Sequence, residues 1–355
     1  MVLMQSLVLE KKGEITLRDV EVNDTLGPHD CRVKIHSVGI CGSDVHFAEY
    51  GHIGPYYVKK PMILGHEASG TVVAVGTEVK NLKSGDRVAL EPGIPRWDSV
   101  QTLNGLYNLD PEVTFFATPP VHGCTCVSVI HPAALCFKLP DNLSYEEGAM
   151  CEPTAVGMYA ATKAGIRPGD IAFVIGSGTI GILTALSALA GGCSTAIVCD
   201  LQDDRLAVAR QYPGVVAVNA NNAKELRRVV DELTAKNGCD RVFECSGSGA
   251  AFGLVAEYAA PGATCVLVGM SVKPIQVDFV SLQAKEITFQ TIFRYRNVYP
   301  NAIRLLSSGK INVKPLICAR YPLKDGVKAY KRALQKDPKD IKIVIQVDNS
   351  NLSKL

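Results

Sequence analysis

The sequence predicts an α/β protein of two domains, one mainly β and the other a doubly wound parallel sheet covered by helices. Three observations predict it. The chain has 355 residues, enough to bury two cores. Roughly its first ninety residues are rich in β-branched side chains and broken by glycine. From about residue 154 short apolar strands alternate with helical patterns, which is the signature of a parallel sheet.

The elements follow in order. Runs 31–38, 71–75 and 87–90 read as short strands between turns, whereas 92–125 gathers Pro, Gly and Asn without periodicity and reads as a long loop or lobe. Then IAFVIG is a buried strand, TIGILTALSALA a helix and TAIVCD a second buried strand. RLAVARQY is another helix, and RVFECSG and ATCVLVG are further strands. After about 290 the chain leaves that sheet, and IKIVIQV near the end is a strand placed to rejoin the first domain. The expected division is therefore 1–153 with 291–355, and 154–290 as the inserted unit.

Composition excludes several classes. The chain is 47% hydrophobic and 20% charged, as soluble globular proteins are. A net charge of +2 without a basic cluster gives no footing for nucleic acid or an anionic membrane surface. No apolar run is long enough to span a bilayer. The opening MVLMQSLVLEKKGEITL lacks both a basic start and a small-residue cleavage site, so it is not expected to be a secretory signal. Twelve cysteines lie scattered through apolar stretches, among them Cys193, Cys199, Cys239, Cys245, Cys265 and Cys318. That pattern reads as buried reduced thiols rather than a disulfide framework.

Gly176-Ser177-Gly178-Thr179-Ile180-Gly181 is a GxGxxG motif. Alone it is weak, but here it follows a strand directly and opens an apolar helix. Gly176 permits the tight turn, Gly178 lets the backbone approach a pyrophosphate, and Gly181 lets helix and strand pack closely. Asp200 ends the next strand, where a carboxylate accepts from adenosine ribose hydroxyls and repels a 2′-phosphate, so NAD is favoured over NADP. A helix cap or surface acid is the alternative for Asp200, and Arg205 close by is a candidate to flank the adenine. These features predict a Rossmann domain.

Two further segments carry a family resemblance. Gly65-His66-Glu67-Ala68-Ser69-Gly70, with Gly76 and Val79 beyond it, resembles the zinc signature of the medium-chain alcohol dehydrogenases. Gly39-Ile40-Cys41-Gly42-Ser43-Asp44-Val45-His46 resembles their first ligand segment. VKKPMILGHEASG, LKSGDRVALEPGIPR, FFATPP, CEPTAVG and FRYRN are similar to segments of the polyol branch, the sorbitol and xylitol dehydrogenases. The resemblance implies a GroES-like catalytic domain beside the Rossmann domain. It also implies a zinc- and NAD-dependent polyol dehydrogenase that yields a 2-ketose, assembled as a homotetramer. Hydride removal from an unactivated secondary alcohol needs its hydroxyl deprotonated, and zinc lowers hydroxyl pKa values by many units.

By that resemblance Cys41, His66 and Glu67 supply metal ligands, although in related branches the glutamate sits behind the metal. Cys151-Glu152-Pro153 is ambiguous: two-thiolate relatives use a cysteine from this region, whereas the polyol branch has glutamate matching Glu152, on the zinc or on its water. Asp44 would hold the histidine ligand in its tautomer. Ser43 would take the hydroxyl proton and His46 pass it outward, or else orient the ribose. Phe47, Ile53, Tyr56, Phe115 and Thr118 would line the substrate pocket, with Arg294 and Tyr295 as donors to several hydroxyls. Phe47 stands where the branch commonly has tyrosine. Ile180, Val268, Met270 and Phe293 complete the expected cofactor contacts.

One departure concerns the lobe. Many relatives hold a structural zinc there on four cysteines, but residues 92–123 contain none. Cys124 and Cys126 cannot close such a site alone, so one catalytic zinc is expected. Two rivals stand beside this reading: a zinc-free NADPH reductase of quinones or enones, and a non-enzymatic crystallin-like protein. Finally, Ser353-Lys354-Leu355 is the SKL tripeptide read by peroxisomal import receptors, so import into a peroxisome or glycosome is expected, with cytoplasm as the alternative.

Overall fold

Ten residues, Asp30–Gly39, organise the first of the two units into which the chain divides. The computed structural model describes residues 1–271 and 273–347. Ser353, Lys354 and Leu355 lie outside the described residues.

Among the described residues, the first unit takes in 1–152, 299–307 and 317–347. Its main sheet runs Cys136–Lys138, Arg87–Leu90, Glu67–Val75, Asp30–Gly39, Lys342–Gln346 and Ile317–Pro322, and Ser128–Pro132 also pairs with Asp30–Gly39. The register puts Gly39 opposite Glu67 on one side and opposite Val344 on the other. IKIVIQV thus does rejoin the first unit, between two strands rather than at an edge. Every second residue of Asp30–Gly39 faces the core, where Cys31, Val33 and Ile35 meet Leu7, Leu90 and Ile345. A smaller sheet of Glu14–Val22, Val2–Lys11 and Met62–Ile63 accompanies it.

The stretch 92–125 is nearly free of regular structure: one two-residue strand pair, the short helix Val100–Leu103 and a single 3-10 turn. Ion pairs brace it. Arg96 pairs with Asp98 at 2.8 Å and Glu112 at 2.7 Å, while Asp110 accepts from the Arg96 and Glu112 backbone amides at 2.5 and 3.1 Å.

The second unit holds a six-stranded sheet in the order Val215–Asn219, Thr195–Asp200, Ile171–Ile175, Cys239–Glu244, Ala259–Leu267 and Thr288–Thr291. Every pairing is parallel. The order reverses beside Ile171–Ile175, the switch point where such sheets bind dinucleotides. The strand leads into helix Thr179–Gly191, capped by Gly178. Gly176 has φ +102°, and a Cβ on Gly181 would overlap the Gly176 carbonyl, so both glycines are required by shape.

The unit boundaries differ from 153 and 290. The first division falls inside helix Cys151–Ala164, after Glu152, and the second after Val298, with 308–316 also in the second unit. Thr291 still pairs with Leu267, the Arg296 guanidinium lies 5.2 Å over Tyr159, and the Tyr212 hydroxyl donates to the Asn312 carbonyl at 2.9 Å. These ties hold the later segment to the parallel sheet. All twelve cysteines are free, and Cys318 is exposed rather than buried because its strand Ile317–Pro322 ends the sheet. Among the described residues no helix is long and apolar enough to cross a membrane.

Candidate metal and active site

Cys41 caps helix Gly42–Tyr50, and its backbone amide donates to Asp44 Oδ2 at 3.1 Å. That turn fixes Cys41, Ser43, Asp44 and His46 on one helical segment. The other segment enters through Gly65, whose φ of +88° and lack of Cβ set the chain before His66; a Cβ there would collide with Thr125 and Val38. Its amide donates to Asp44 Oδ1 at 3.2 Å, so the two segments are tied through one carboxylate.

Cys41, His66 and Glu67 thereby converge, with donor atoms all within 4.8 Å of one another. A thiol, an imidazole and a carboxylate with one position left open is the donor chemistry of a catalytic zinc. The electrostatics suit a cation as well. Burial by itself lowers the His66 pKa, but the charges of Cys41 and Asp44 outweigh it and raise the imidazole well above its ordinary value. Asp44 is fully buried, 3.7 Å from His66 Nδ1, where it can orient the ring.

Glu67 has a partner that the sequence did not point to. Lys342 Nζ donates to both of its oxygens at 2.7 Å and to the Ile40 carbonyl at 3.0 Å. Burial works against the ammonium charge, yet Glu67 and Cys41 raise the Lys342 pKa. Gly39 makes room for the pair, since a Cβ there would overlap the Glu67 carboxylate. The signal was present as a lysine inside the apolar run IKIVIQV, a position that demands a buried anion.

Glu152, also buried, lies outside the three-residue cluster, so direct ligation by it is not what this geometry presents. It sits in the first turn of helix Cys151–Ala164, while Cys151 is packed away from solvent. Glu91 is a second carboxyl that the sequence reading passed over. Burial lifts it to about 7, with Glu152 adding to the rise and the Tyr107 hydroxyl, donating at 2.6 Å, opposing it. Tyr107 thus ties the lobe to this carboxyl.

Ser43 and His46 are half-buried on the same helix. Burial lowers the His46 pKa, so the ring is a neutral proton acceptor at pH 7. Phe115 packs near His66, ring centroids 5.6 Å apart, and the Thr118 amide donates to the Phe115 carbonyl at 3.1 Å. Phe47 is a member of the main apolar core, with Ile53 packed against that core, whereas Tyr56 is exposed. Phe47 therefore has a packing role of its own.

In the second unit Asp200 accepts from the Ser177 amide at 2.6 Å and the Gln202 amide at 3.0 Å. The carboxylate is thus fastened to the GxGxxG loop. Arg205 is half-buried, with its Nε unpartnered. Ile180 and Val268 are half-buried, and Met270 and Phe293 are exposed. Arg294, at φ +54°, stacks over Phe293 at 4.8 Å, and Tyr295 is buried.

Comparison with known proteins bears on this geometry. Residues 27–141 match the alcohol dehydrogenase GroES-like domain and 179–308 the zinc-binding dehydrogenase family. D-xylulose reductase of Morganella morganii is 56% identical over 94% of this chain and 98% of that protein. The chain belongs to the zinc-binding medium-chain dehydrogenases, in their polyol branch. Within this family, rat sorbitol dehydrogenase is 42% identical over 97% of this chain and 96% of its own length. Among solved structures, an Escherichia coli oxidoreductase/dehydrogenase of unknown specificity superposes with a TM-score of 0.92 at 34% identity, covering 98% of this chain and all of that one. The 2R,3R-butanediol dehydrogenase of Bacillus subtilis gives 0.88 at 29% identity, covering 97% and 100%.

Proposed function

We propose that this zinc-binding dehydrogenase transfers hydride between a polyol, sorbitol or xylitol, and NAD, giving the 2-ketose fructose or xylulose. The observation that carries the reading is the convergence of Cys41, His66 and Glu67 in a chain similar to D-xylulose reductase over nearly its whole length. The same convergence argues against a zinc-free reductase or a crystallin-like protein.

Bound at those residues, zinc supplies Lewis acidity that makes the substrate hydroxyl easier to deprotonate. The chain's own groups do the rest. Asp44 orients His66, and Lys342 holds Glu67. Ser43 accepts the proton, and His46, neutral at pH 7, takes it outward. Glu152, buried but outside the three-residue cluster, would act on a bound zinc indirectly rather than as a direct ligand. Purified protein should reduce NAD in an absorbance assay with xylitol, sorbitol, ribitol or threitol. Absence of turnover on the whole panel would sink the proposal.

NAD preference rests on Asp200, whose carboxylate would face a 2′-phosphate with like charge. Asp200→Ser should raise kcat/KM for NADP by about 10-fold or more. Wild-type protein that already uses both cofactors equally would contradict this assignment.

We also propose one zinc per chain. The lobe is braced by Arg96, Asp98, Asp110 and Glu112 in the region where relatives place four cysteines. Metal analysis should find about one zinc per chain; a second tightly held ion would refute the claim. The proposed assembly is a homotetramer, which analytical ultracentrifugation checks. For location, the proposal is import through Ser353-Lys354-Leu355 acting as a free C-terminus. A fluorescent protein fused to the last twelve or so residues should enter peroxisomes or glycosomes and be released when Leu355 is removed. A diffuse signal from the intact fusion would count against import.

A further inference from the structure

Glu244 ends the strand Cys239–Glu244, which lies directly beside the GxGxxG strand at the switch point of the parallel sheet. The register sets it opposite Ile175 on one side and Leu267 on the other. The loops that follow these three strands therefore leave the sheet side by side. Ligands of such sheets bind in the crevice outside those carboxyl ends.

The Glu244 side chain is buried, yet the donors it meets among the described residues are neutral and belong to the loop just beyond it. The Ser246 amide donates to Oε1 at 2.7 Å, and the Ser246 hydroxyl donates to the same oxygen. The Gly247 amide is shared between Oε1 at 2.9 Å and Oε2 at 3.1 Å. The main chain of Glu244 holds a second loop, since its carbonyl accepts from the Val268 and Gly269 amides, both at 2.8 Å. The two loops then interlock through glycines. A Cβ on Gly269 would lie 2.2 Å from the Gly247 nitrogen and 2.8 Å from Glu244 Oε2, and one on Gly247 would lie 2.6 Å from the Met270 carbonyl oxygen. The GxGxxG turn leans on the same loop: a Cβ on Gly176 would lie 3.2 Å from the Ser246 nitrogen.

A buried carboxylate is tolerated where hydrogen bonds or a cation hold it. This one is held by a loop whose Ser246 and Ser248 are exposed and which has little apolar surface of its own to fix it. A loop fixed in advance does not have to be ordered when its ligand arrives.

We propose that Glu244 is a positioning residue for the cofactor: its carboxylate and carbonyl lock loops 245–248 and 268–270 together, so that this wall of the dinucleotide crevice is formed before NAD binds. The inference rests on the NAD reading above. It adds a group that acts through the loops, one of which carries Val268 and Met270, the expected cofactor contacts.

Full-length protein is compared with its Glu244→Ala and Ser246→Ala variants, first without cofactor and then with NADH. Without cofactor, amide hydrogen exchange at 245–248 and 268–270 should quicken about 10-fold or more in Glu244→Ala, while strand Thr195–Asp200 keeps its wild-type rate. Fluorescence titration should show NADH held about 10-fold more weakly, roughly the cost of ordering one residue's backbone at the moment of binding. In turnover the loss should fall on KM for NAD, with kcat within about 3-fold of wild type. A carboxylate that served only the fold would lower the melting temperature and leave NADH affinity and KM unmoved, which would overturn the proposal. Ser246→Ala removes one donor at an exposed position and should weaken NADH binding about 3-fold. In a Glu244→Ala background the same change should cost nothing further. An equal loss in both backgrounds would show that Ser246 does not work through Glu244 and would overturn the proposal. Should Glu244→Ala fail to fold, Ser246→Ala decides alone: unchanged loop exchange and NADH affinity would overturn the proposal. Wild-type protein that binds no nicotinamide dinucleotide would overturn the NAD reading and this inference together. Wild-type protein that binds NADH, with variants that bind it as tightly, would overturn this inference alone.

Discussion

Lys342→Met should lower the stability of the first unit by about 3–5 kcal/mol, the usual cost of leaving one member of a buried ion pair uncompensated. Lys342 and Glu67 are 3% and 1% exposed at their side chains, and Nζ meets both carboxylate oxygens at 2.7 Å, so no solvent stands in for the lost ammonium. The melting temperature should fall by about 10 °C for a unit of this size. The partner test separates this from a packing defect. Glu67→Gln combined with Lys342→Met removes both charges and should recover much of the loss, as replaced buried pairs do elsewhere. A single variant that melts with wild type would show that the carboxylate finds another neutralising partner. Zinc uptake should weaken in the single variant too, since the Glu67 carboxylate loses the contact that fixes it.

The second large effect is on catalysis. Cys41→Ala or His66→Ala should reduce polyol oxidation by about a thousandfold or more, because the Lewis acid is asked for several kcal/mol and each factor of ten is about 1.4 kcal/mol. NADH binding should persist in both variants. The GxGxxG loop and Asp200 belong to the other unit, with their own sheet and core. Fluorescence titration with NADH measures this directly, and full turnover in a metal-depleted His66→Ala preparation would defeat the mechanism. Loss of NADH binding together with activity would point instead to a collapsed fold.

What could be read from the chain follows the distance over which each feature is encoded. The GxGxxG loop is six contiguous residues between a strand and a helix, so its motif can be read from that stretch alone. Cys41 and His66–Glu67 each lie in a short motif, and a single β-pairing of Gly39 with Glu67 brings them together. For Lys342, the lysine inside IKIVIQV signals a buried anion but does not name it. Its partner is 275 residues away, and only insertion of its strand beside Asp30–Gly39 joins them. The end of the parallel unit was misplaced by eight residues, from 290 to 298, because residues 291–298 carry no periodicity and are held by side-chain contacts. Cys318 looked internal from its apolar surroundings, but an edge strand turns alternate residues to water.

The strand Lys342–Gln346, wedged between Asp30–Gly39 and Ile317–Pro322, also bears on the order in which the chain folds during synthesis. The parallel sheet of the second unit is drawn almost wholly from one continuous stretch, so it has all its strands as soon as Thr291 has emerged. The unit begun first cannot close until residues in the 340s arrive, and until then Glu67 waits without its cation beside an unfilled slot in the sheet. The amino-terminal unit is therefore the last to be completed on the ribosome. A chain stalled or truncated before 342 would present a folded parallel-sheet unit joined to an open, adhesive half-sheet, which is the form that chaperones and proteases would meet.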